Sequence, residues 1–271
     1  MKEQVLESPF CKKEFLKLVD ILSEEKTTKL KNYAISDSTI VNIGDRDFVD
    51  YRPDISIDPQ VLKENDISNI NFDSLHFFQI QNIVKEIDSK SLRIKKSDIT
   101  VNLILPKTYE EYLESLTKKN RHELRRKKRK FSKEIISCEL EESRDSDIFK
   151  IFISQHKDSK GDKGQFMNEV VETYFKNLLS LEGWKIYYTN TDKGVLSTAF
   201  CYESDNGCYL YNSSRNYKFN SINPGIVLND LIIQKLIDKE MIFFDFLKGT
   251  ERYKYDLGGS SIQLYDLTMQ I

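Results

Sequence analysis

Three alternating β-prone runs separated by hairpin turns, followed at once by a proline-initiated helix, constrain this chain more than anything else in it. Trp184–Tyr188, Val195–Tyr202 and Cys208–Asn212 read as strands. Thr191-Asp192-Lys193-Gly194 and Asp205-Asn206-Gly207 supply the turn residues between them, which is the strongest local signal for a hairpin. The spacing predicts an antiparallel three-strand meander. Asn223-Pro224-Gly225 then opens an apolar-periodic helix, where proline is tolerated because a first-turn N–H is unpaired in any case. Ile242–Leu247 reads as a strand reached by a helical crossover and so parallel to its neighbour. A helix start beside a strand end, with free N–H groups and the positive end of the helix dipole, suits a phosphate or pyrophosphate. Asn223, Pro224, Gly225 and Ile226 are therefore candidates for holding a phosphorylated cofactor, together with Tyr211 at the end of the preceding strand. A last strand is expected at Ser261–Met269.

Upstream the pattern is weaker. After Pro9 an amphipathic helix is expected, followed by short β pieces at Thr39–Ile43 and Phe48–Tyr51. A strand at Ser74–Ile80, a helix at Gln81–Ile87 and a strand at Thr100–Leu105 follow. Residues 1–105 read as a small N-terminal α/β domain or half-domain, and 106–271 as a second domain. In the latter, Thr108 caps a long helix with an apolar face (Tyr112, Leu113, Leu116, Leu124) and a basic one. A strand at Ile136–Leu140 and helices at Ser146–Gln155 and Asn168–Leu181 come next. His156–Gln165, HKDSKGDKGQ, is polar and glycine-containing, and reads as a flexible lid with His156 exposed.

Charge is distributed unevenly. The formal net charge is −2, yet nine of the thirteen residues from Lys118 to Lys130 are lysine or arginine. A solvated helix face is the usual account of such a run, but this density favours an anionic partner. Nucleic acid, a donor tRNA, a nucleotide-linked sugar, a phosphorylated glycan and anionic lipid all fit. No aromatic residue interrupts the run, which argues against a platform for stacking single-stranded bases. Cys11, Cys138, Cys201 and Cys208 form no CxxC pair and, with three scattered histidines, give no metal-ligand spacing. They read as reduced thiols of a soluble, cytoplasmic protein, and no apolar run approaches the roughly 20 residues that span a bilayer.

Four stretches in order narrow the reading: YEEYLESLTKKNRHELRRKKRKF (Tyr109–Phe131), QHKDSKG from Gln155, YLYNSSRN…NPGIVL (Tyr209–Leu228) and FFDFLKGTERYKYDLGG (Phe243–Gly259). Together they resemble the CelD/BcsL-like acyltransferases of the GNAT class, akin to the Fem-type peptidoglycan aminoacyltransferases. The resemblance runs from about residue 106 onward; family members often carry a fuller N-terminal half than residues 1–105 provide. It implies an α+β fold with a mixed sheet, namely a GNAT acyltransferase domain preceded by a small GNAT-like α/β half that is either complete or reduced. It further implies transfer of an acyl group from acyl-CoA to an amine, on an amino sugar or an envelope or polysaccharide precursor, without a metal. The alternatives are an aminoacyl-tRNA-dependent aminoacyltransferase and a non-catalytic domain that binds nucleic acid or protein.

Such chemistry needs the donor held by its phosphates, an oxyanion met by positive charge, and an amine relieved of a proton. Lys254 is the candidate for the oxyanion, since a lysine in the matching Fem-type loop stabilises the transition state; a solvated surface lysine is the alternative. Asp245, between two phenylalanines, must face a cleft or a cationic partner because an unpaired buried carboxylate is costly. It is a candidate base or a structural anchor. Tyr253 and Tyr211 are candidate proton donors or core residues. Arg121, Arg125, His156 and Arg252 are candidates for substrate contact.

Overall fold

The computed structural model describes residues 2–22, 28–30, 32–159 and 161–271. The chain forms two compact units, Met1–Thr100 with Ser261–Ile271 and Val101–Ser260. The first contains helices α1 (Lys2–Glu7) and α2 (Lys13–Ile21) and strands β1 (Thr28–Lys29), β2 (Ala34–Ser36) and β3 (Thr39–Val41). Helix α3 (Pro59–Glu64), strand β4 (Asn69–His76), helix α4 (Phe77–Glu86) and strand β5 (Ser91–Ile104) follow. The second begins with the end of β5 and continues through α5 (Tyr109–Ser115), α6 (Lys118–Glu134), β6 (Cys138–Ser143), α7 (Ser146–Lys157), α8 (Asp162–Phe166) and α9 (Glu169–Ser180). Strands β7 (Trp184–Thr191), β8 (Gly194–Glu203) and β9 (Gly207–Arg215) lead into α10 (Pro224–Asp238), β10 (Phe243–Lys248) and α11 (Arg252–Asp256). Strand β11 (Ser260–Gln270) then returns to the first unit.

In the first unit the strand order is β1-β2-β3-β4-β11-β5. Its core is aliphatic, with Ile40, Ile70, Leu75, Ile83, Leu267 and Met269 packed together. Arg52, 1% exposed, is held by both oxygens of Asp73 at 3.0 and 2.8 Å and donates to the carbonyls of Ile43 and Gly44 at 2.9 Å each. Two local expectations fail here. The strand expected at Ser74–Ile80 ends at His76, because Gln79 reaches back to accept the His76 N–H at 2.8 Å and starts α4 at Phe77. Phe48–Tyr51 lies in a turn, with the Val49 N–H donating to the Asp45 carbonyl at 3.1 Å.

In the second unit β10, β9, β8, β7 and β6 lie side by side in that order, and the Leu105 N–H donates to the Ile242 carbonyl beside β10 at 2.8 Å. The meander forms as expected, closing at Thr191↔Gly194 and Glu203↔Cys208, and β10 runs parallel to β9. α10 buries residues around most of its circumference, among them Leu228, Ile232, Ile233 and Leu236, as a helix enclosed on several sides must. The single helix expected after Thr108 is two. Leu116 is extended, and Thr117 starts a new helix by accepting the Asn120 N–H at 3.2 Å. α6 then packs Phe131 with Leu196, Ile222 and Val227.

An ionic lattice ties β6, β7, β8 and α10 together. Glu142 meets Lys235 at 3.0 Å and Lys185 at 3.2 Å, and Glu203 meets Lys239 at 2.6 Å and Lys185 at 3.1 Å. Partial burial pushes the Glu142 carboxyl up, but Lys235 and Lys185 outweigh it and hold its pKa at about 2, below its ordinary 4.5. Because the folded value is the lower one, this stabilisation is whole above the ordinary glutamate range and fades as pH falls toward 2. Thermal melts between pH 6 and about pH 3 should show Glu142→Gln with a shallower acid loss than the parent; parallel curves would remove the lattice from the acid response.

Candidate active site

β9 and β10 pair over three positions only, Gly207↔Phe243, Cys208↔Phe244 and Tyr209↔Asp245. A Cβ on Gly207 would stand 2.4 Å from the Phe243 ring, so glycine permits the close approach that begins the pairing. Beyond these positions each strand carries an irregularity. In β9, Leu210 faces Cys201 and Asn212 faces Phe200, which leaves Tyr211 as the extra residue of a bulge. In β10, Leu247 has φ +58°, a left-handed conformation that costs an ordinary residue about 1–2 kcal/mol.

Two of the predicted catalytic residues hold that bend. Asp245 is 3% exposed, and its Oδ1 accepts the Leu247 N–H at 2.8 Å. Lys254 lies in α11 rather than in an open loop, and is 2% exposed. Its Nζ donates to the carbonyls of Leu247, Lys248 and Gly249 at 3.4, 2.5 and 3.3 Å, and stands 3.0 Å from Glu251. An ammonium has three protons, so this one is fully engaged by the turn.

A cavity of about 230 Å³ lies beside the end of β9, lined by Ser213, Ser214, Arg215, Thr198, Tyr253 and the first two turns of α10. Its floor is internally bonded: Thr198 Oγ1 and Ser214 Oγ are 2.6 Å apart, and Ser214 donates to the Phe152 carbonyl at 3.1 Å. Ser197 donates to the Pro224 carbonyl at 3.1 Å and so fixes the start of α10 to β8. Asn223, left-handed at φ 56°, ψ 51°, precedes that start. The helix offers fewer free donors than expected. Pro224 has no N–H, and those of Ile226 and Val227 donate to the Asn223 carbonyl at 3.1 and 3.3 Å. Among the described residues, only the Gly225 N–H of this turn has no protein acceptor. Arg215 brings a guanidinium to the cavity, stacked 4.8 Å over Tyr217 and donating to Asn220 at 2.8 Å. Tyr253 rests edge-on against Phe246. Burial, then Glu251, push its hydroxyl well above the usual tyrosine value while Arg215 opposes; it stays protonated at neutral pH.

A second, larger hollow of about 1250 Å³ is an open groove along α5, α6 and α11, where Arg121, Arg125, Arg252, Lys118 and Lys119 converge with Glu110, Glu114 and Asp256. The consecutive residues Arg252 and Tyr253 line the groove and the cavity respectively. α6 is fastened from behind. Asp230 of α10, fully buried, accepts from Tyr109 at 2.7 Å and from Lys128 at 2.5 Å. Lys128 thus belongs to the helix packing, whereas Lys118, Lys119, Arg125, Arg126, Arg129 and Lys130 are exposed.

The structure therefore gathers Asn223, Gly225, Ile226 and Tyr253 at one site and Arg121, Arg125 and Arg252 at another. It does not bring Tyr211 or His156 to either lining. Tyr211 packs against Phe175 and Trp184, with its hydroxyl 2.9 Å from that of Tyr174; the bulge breaks the alternation that had placed it. His156 is 1% exposed within α7, its Nε2 3.1 Å from Asn212 Oδ1, and so is not part of an exposed lid. Of that expected lid, α7 takes the first residues and α8 the later ones, while Lys160 and the side chains of Asp162 and Lys163 lie outside the described residues. Sequence reasoning missed Thr198, Ser214, Arg215 and Asn229. Asn229-Asp230 interrupts the apolar run of α10 just as Asp245 interrupts β10, a signal that was available.

No curated protein matches the sequence significantly. Among solved structures, a conserved protein of unknown function from Bacteroides thetaiotaomicron superposes with a TM-score of 0.65 at 8% identity, over 97% of this chain and 92% of its own. FemX superposes with a TM-score of 0.64 at 11% identity, over 98% and 94%. These likenesses show the fold. Residues 118–255, just over half of the chain and including the whole lining of the cavity and most of that of the groove, match the profile of the acetyltransferase (GNAT) domain. The chain belongs to that family and is a GNAT-type N-acyltransferase.

Proposed function

We propose that this enzyme moves an acyl group from acyl-CoA to the amine of an anionic acceptor, as the CelD/BcsL-like acyltransferases it resembles would, with an amino sugar or an envelope or polysaccharide precursor as the acceptor class. The observation that carries the reading is the cavity bounded by the start of α10 on one side and Tyr253 on the other. Arg215 and the Gly225 N–H offer positive charge and a donor for a phosphate. Tyr253, which borders the cavity and as a phenol carries its proton at neutral pH, would return that proton to the departing thiolate. The groove with Arg121, Arg125 and Arg252 suits an acceptor that carries phosphate or carboxylate. In this scheme Lys254 and Asp245 are positioning residues, since both are engaged in shaping the exit of β10.

The outer face of α6 favours a second reading, in which aminoacyl-tRNA is the donor and the exposed cations contact its backbone. The fold likeness to FemX agrees with it. Calorimetric titration with CoA, and with bulk tRNA at two salt concentrations, divides the two. Micromolar CoA binding with no tRNA binding is the expected result; strongly salt-dependent tRNA binding without CoA would replace the first reading by the second.

Two substitutions test the roles. Tyr253→Phe should lower kcat about 100-fold with CoA affinity unchanged, and an undiminished kcat would remove Tyr253 from the chemistry. Lys254→Met should cost about 3 kcal/mol in urea melts, because it strands buried carbonyls. A variant as stable as the parent but inactive would instead return Lys254 to the reaction.

A further inference from the structure

Strand β5 is 14 residues long, and its first six, Ser91–Lys96, are exposed on both faces. In the first unit's sheet β5 comes last, with β11 on one side of it. β10 is only six residues long and begins beside Leu105, at the opposite end of β5. On the side away from β11, Ser91–Lys96 therefore has no strand neighbour among the described residues. Its backbone makes no hydrogen bond outside the sheet ladder among them either. An edge of this kind turns alternate pairs of N–H and C=O groups toward water, which is a template for a further strand.

The side chains decide which strand could be added. Leu92 and Ile94 are 43% and 41% exposed, and Arg93 and Lys95 alternate with them on the other face. No acidic residue occurs between Asp88 and Asp98. Arg93, Lys95 and Lys96 have no ion-paired or hydrogen-bonded partner among the described residues. Lysines on an edge guard it against self-association, and the spacing shows how this guard works. Two copies of β5 paired antiparallel with Ile94 on Ile94 would set Arg93 against Lys95 twice. A shift by one residue would set Lys95 against Ile94 or Leu92 instead. Like charges directly opposite destabilise such a pair, whereas opposite charges stabilise it. The cations that exclude a second copy thus favour a strand with carboxylates opposite Arg93 and Lys95 and apolar residues opposite Leu92 and Ile94.

We propose that Ser91–Lys96 is a docking edge for an extended acidic segment of another protein, one that alternates carboxylate and apolar side chains and adds a strand beside β5. Main-chain hydrogen bonds supply affinity in this mode, and the alternating side chains supply specificity. The edge lies in the first unit, and its role is independent of the acyl donor and acceptor.

A fluorescently labelled peptide of alternating valine and glutamate is titrated against the full chain by anisotropy, with hydrogen exchange followed by mass spectrometry. Binding that weakens as salt rises is expected, with slowed exchange over Ser91–Lys96 in the complex. Arg93→Glu combined with Lys95→Glu should lower the affinity about tenfold and raise that for a valine–lysine peptide. Arg129→Glu combined with Lys130→Glu, on exposed positions of α6, should leave it level. The valine–glutamate peptide N-methylated at alternate residues keeps its charge but loses ladder donors, and should bind about tenfold more weakly. Absence of binding, equal binding of the methylated peptide, or a loss caused by the α6 variant in place of the β5 variant overturns the proposal. So does a dimer in sedimentation that the β5 variant abolishes, since a second copy would then own the edge. Should the double variant fail to fold, Lys95→Glu alone is read by the same affinities.

Discussion

The parting of two parallel strands governs what this molecule can do. A helical crossover obliges β9 and β10 to run in the same direction, and three pairs of residues satisfy that obligation before the ladder stops. Everything assigned to the cavity depends on the stop. The bulge at Tyr211 and the left-handed Leu247 turn each strand at the point where pairing ends. Neither conformation is favourable alone, and each is held by its surroundings: Tyr211 by an aromatic cluster, Leu247 by Asp245 and Lys254. Buried polar groups are thus used here to maintain a gap rather than to close one, which is the pattern expected when backbone strain accompanies a site.

Much of the second unit was legible because its signals are local. Asp-Asn-Gly and Asp-Lys-Gly between alternating runs fix hairpins, and Asn-Pro-Gly before an apolar run fixes a helix start; neither depends on distant partners. What escaped was set by tertiary contacts. A bulge changes which face a residue points to without altering the alternation in the sequence, so Tyr211 looked like a cavity residue. The polar run after Gln155 reads as a loop, yet α7 extends into it as far as Lys157, where the imidazole of His156 meets Asn212 across the fold. The interruption at Thr117 was visible as a capping residue but was masked by the continuous charge pattern on both sides. Lys254 was singled out through the resemblance to the Fem-type loop, whereas its place is decided by three carbonyls that only the turn assembles.

Charge on α6 serves two purposes that composition alone merges. Lys128 turns inward to Asp230 and Tyr109, joining α5, α6 and α10 around one buried carboxylate. Lys118, Lys119, Arg121, Arg125 and Lys127 line the groove. Removing Asp230 would leave the Lys128 ammonium and the Tyr109 hydroxyl without their shared acceptor. The helix that offers cations to a ligand is therefore fixed to the helix that bounds the cavity. Both sites are carried by one rigid group of helices, as precise positioning requires.

The placement of β11 has a consequence for how the polypeptide is made. In the first unit β11 lies between β4 and β5, and the Ser74 N–H that donates to Asp266 is 192 residues from its acceptor in the sequence. During vectorial synthesis the residues of β4 and β5 emerge early, but the strand that joins them emerges last. The second unit, contiguous from Val101 to Ser260, is complete before then. Non-local pairing of this kind is slow to form and leaves strand edges open meanwhile. The β4 edge that pairs with β11 accordingly stays open until residues 260–270 have been made.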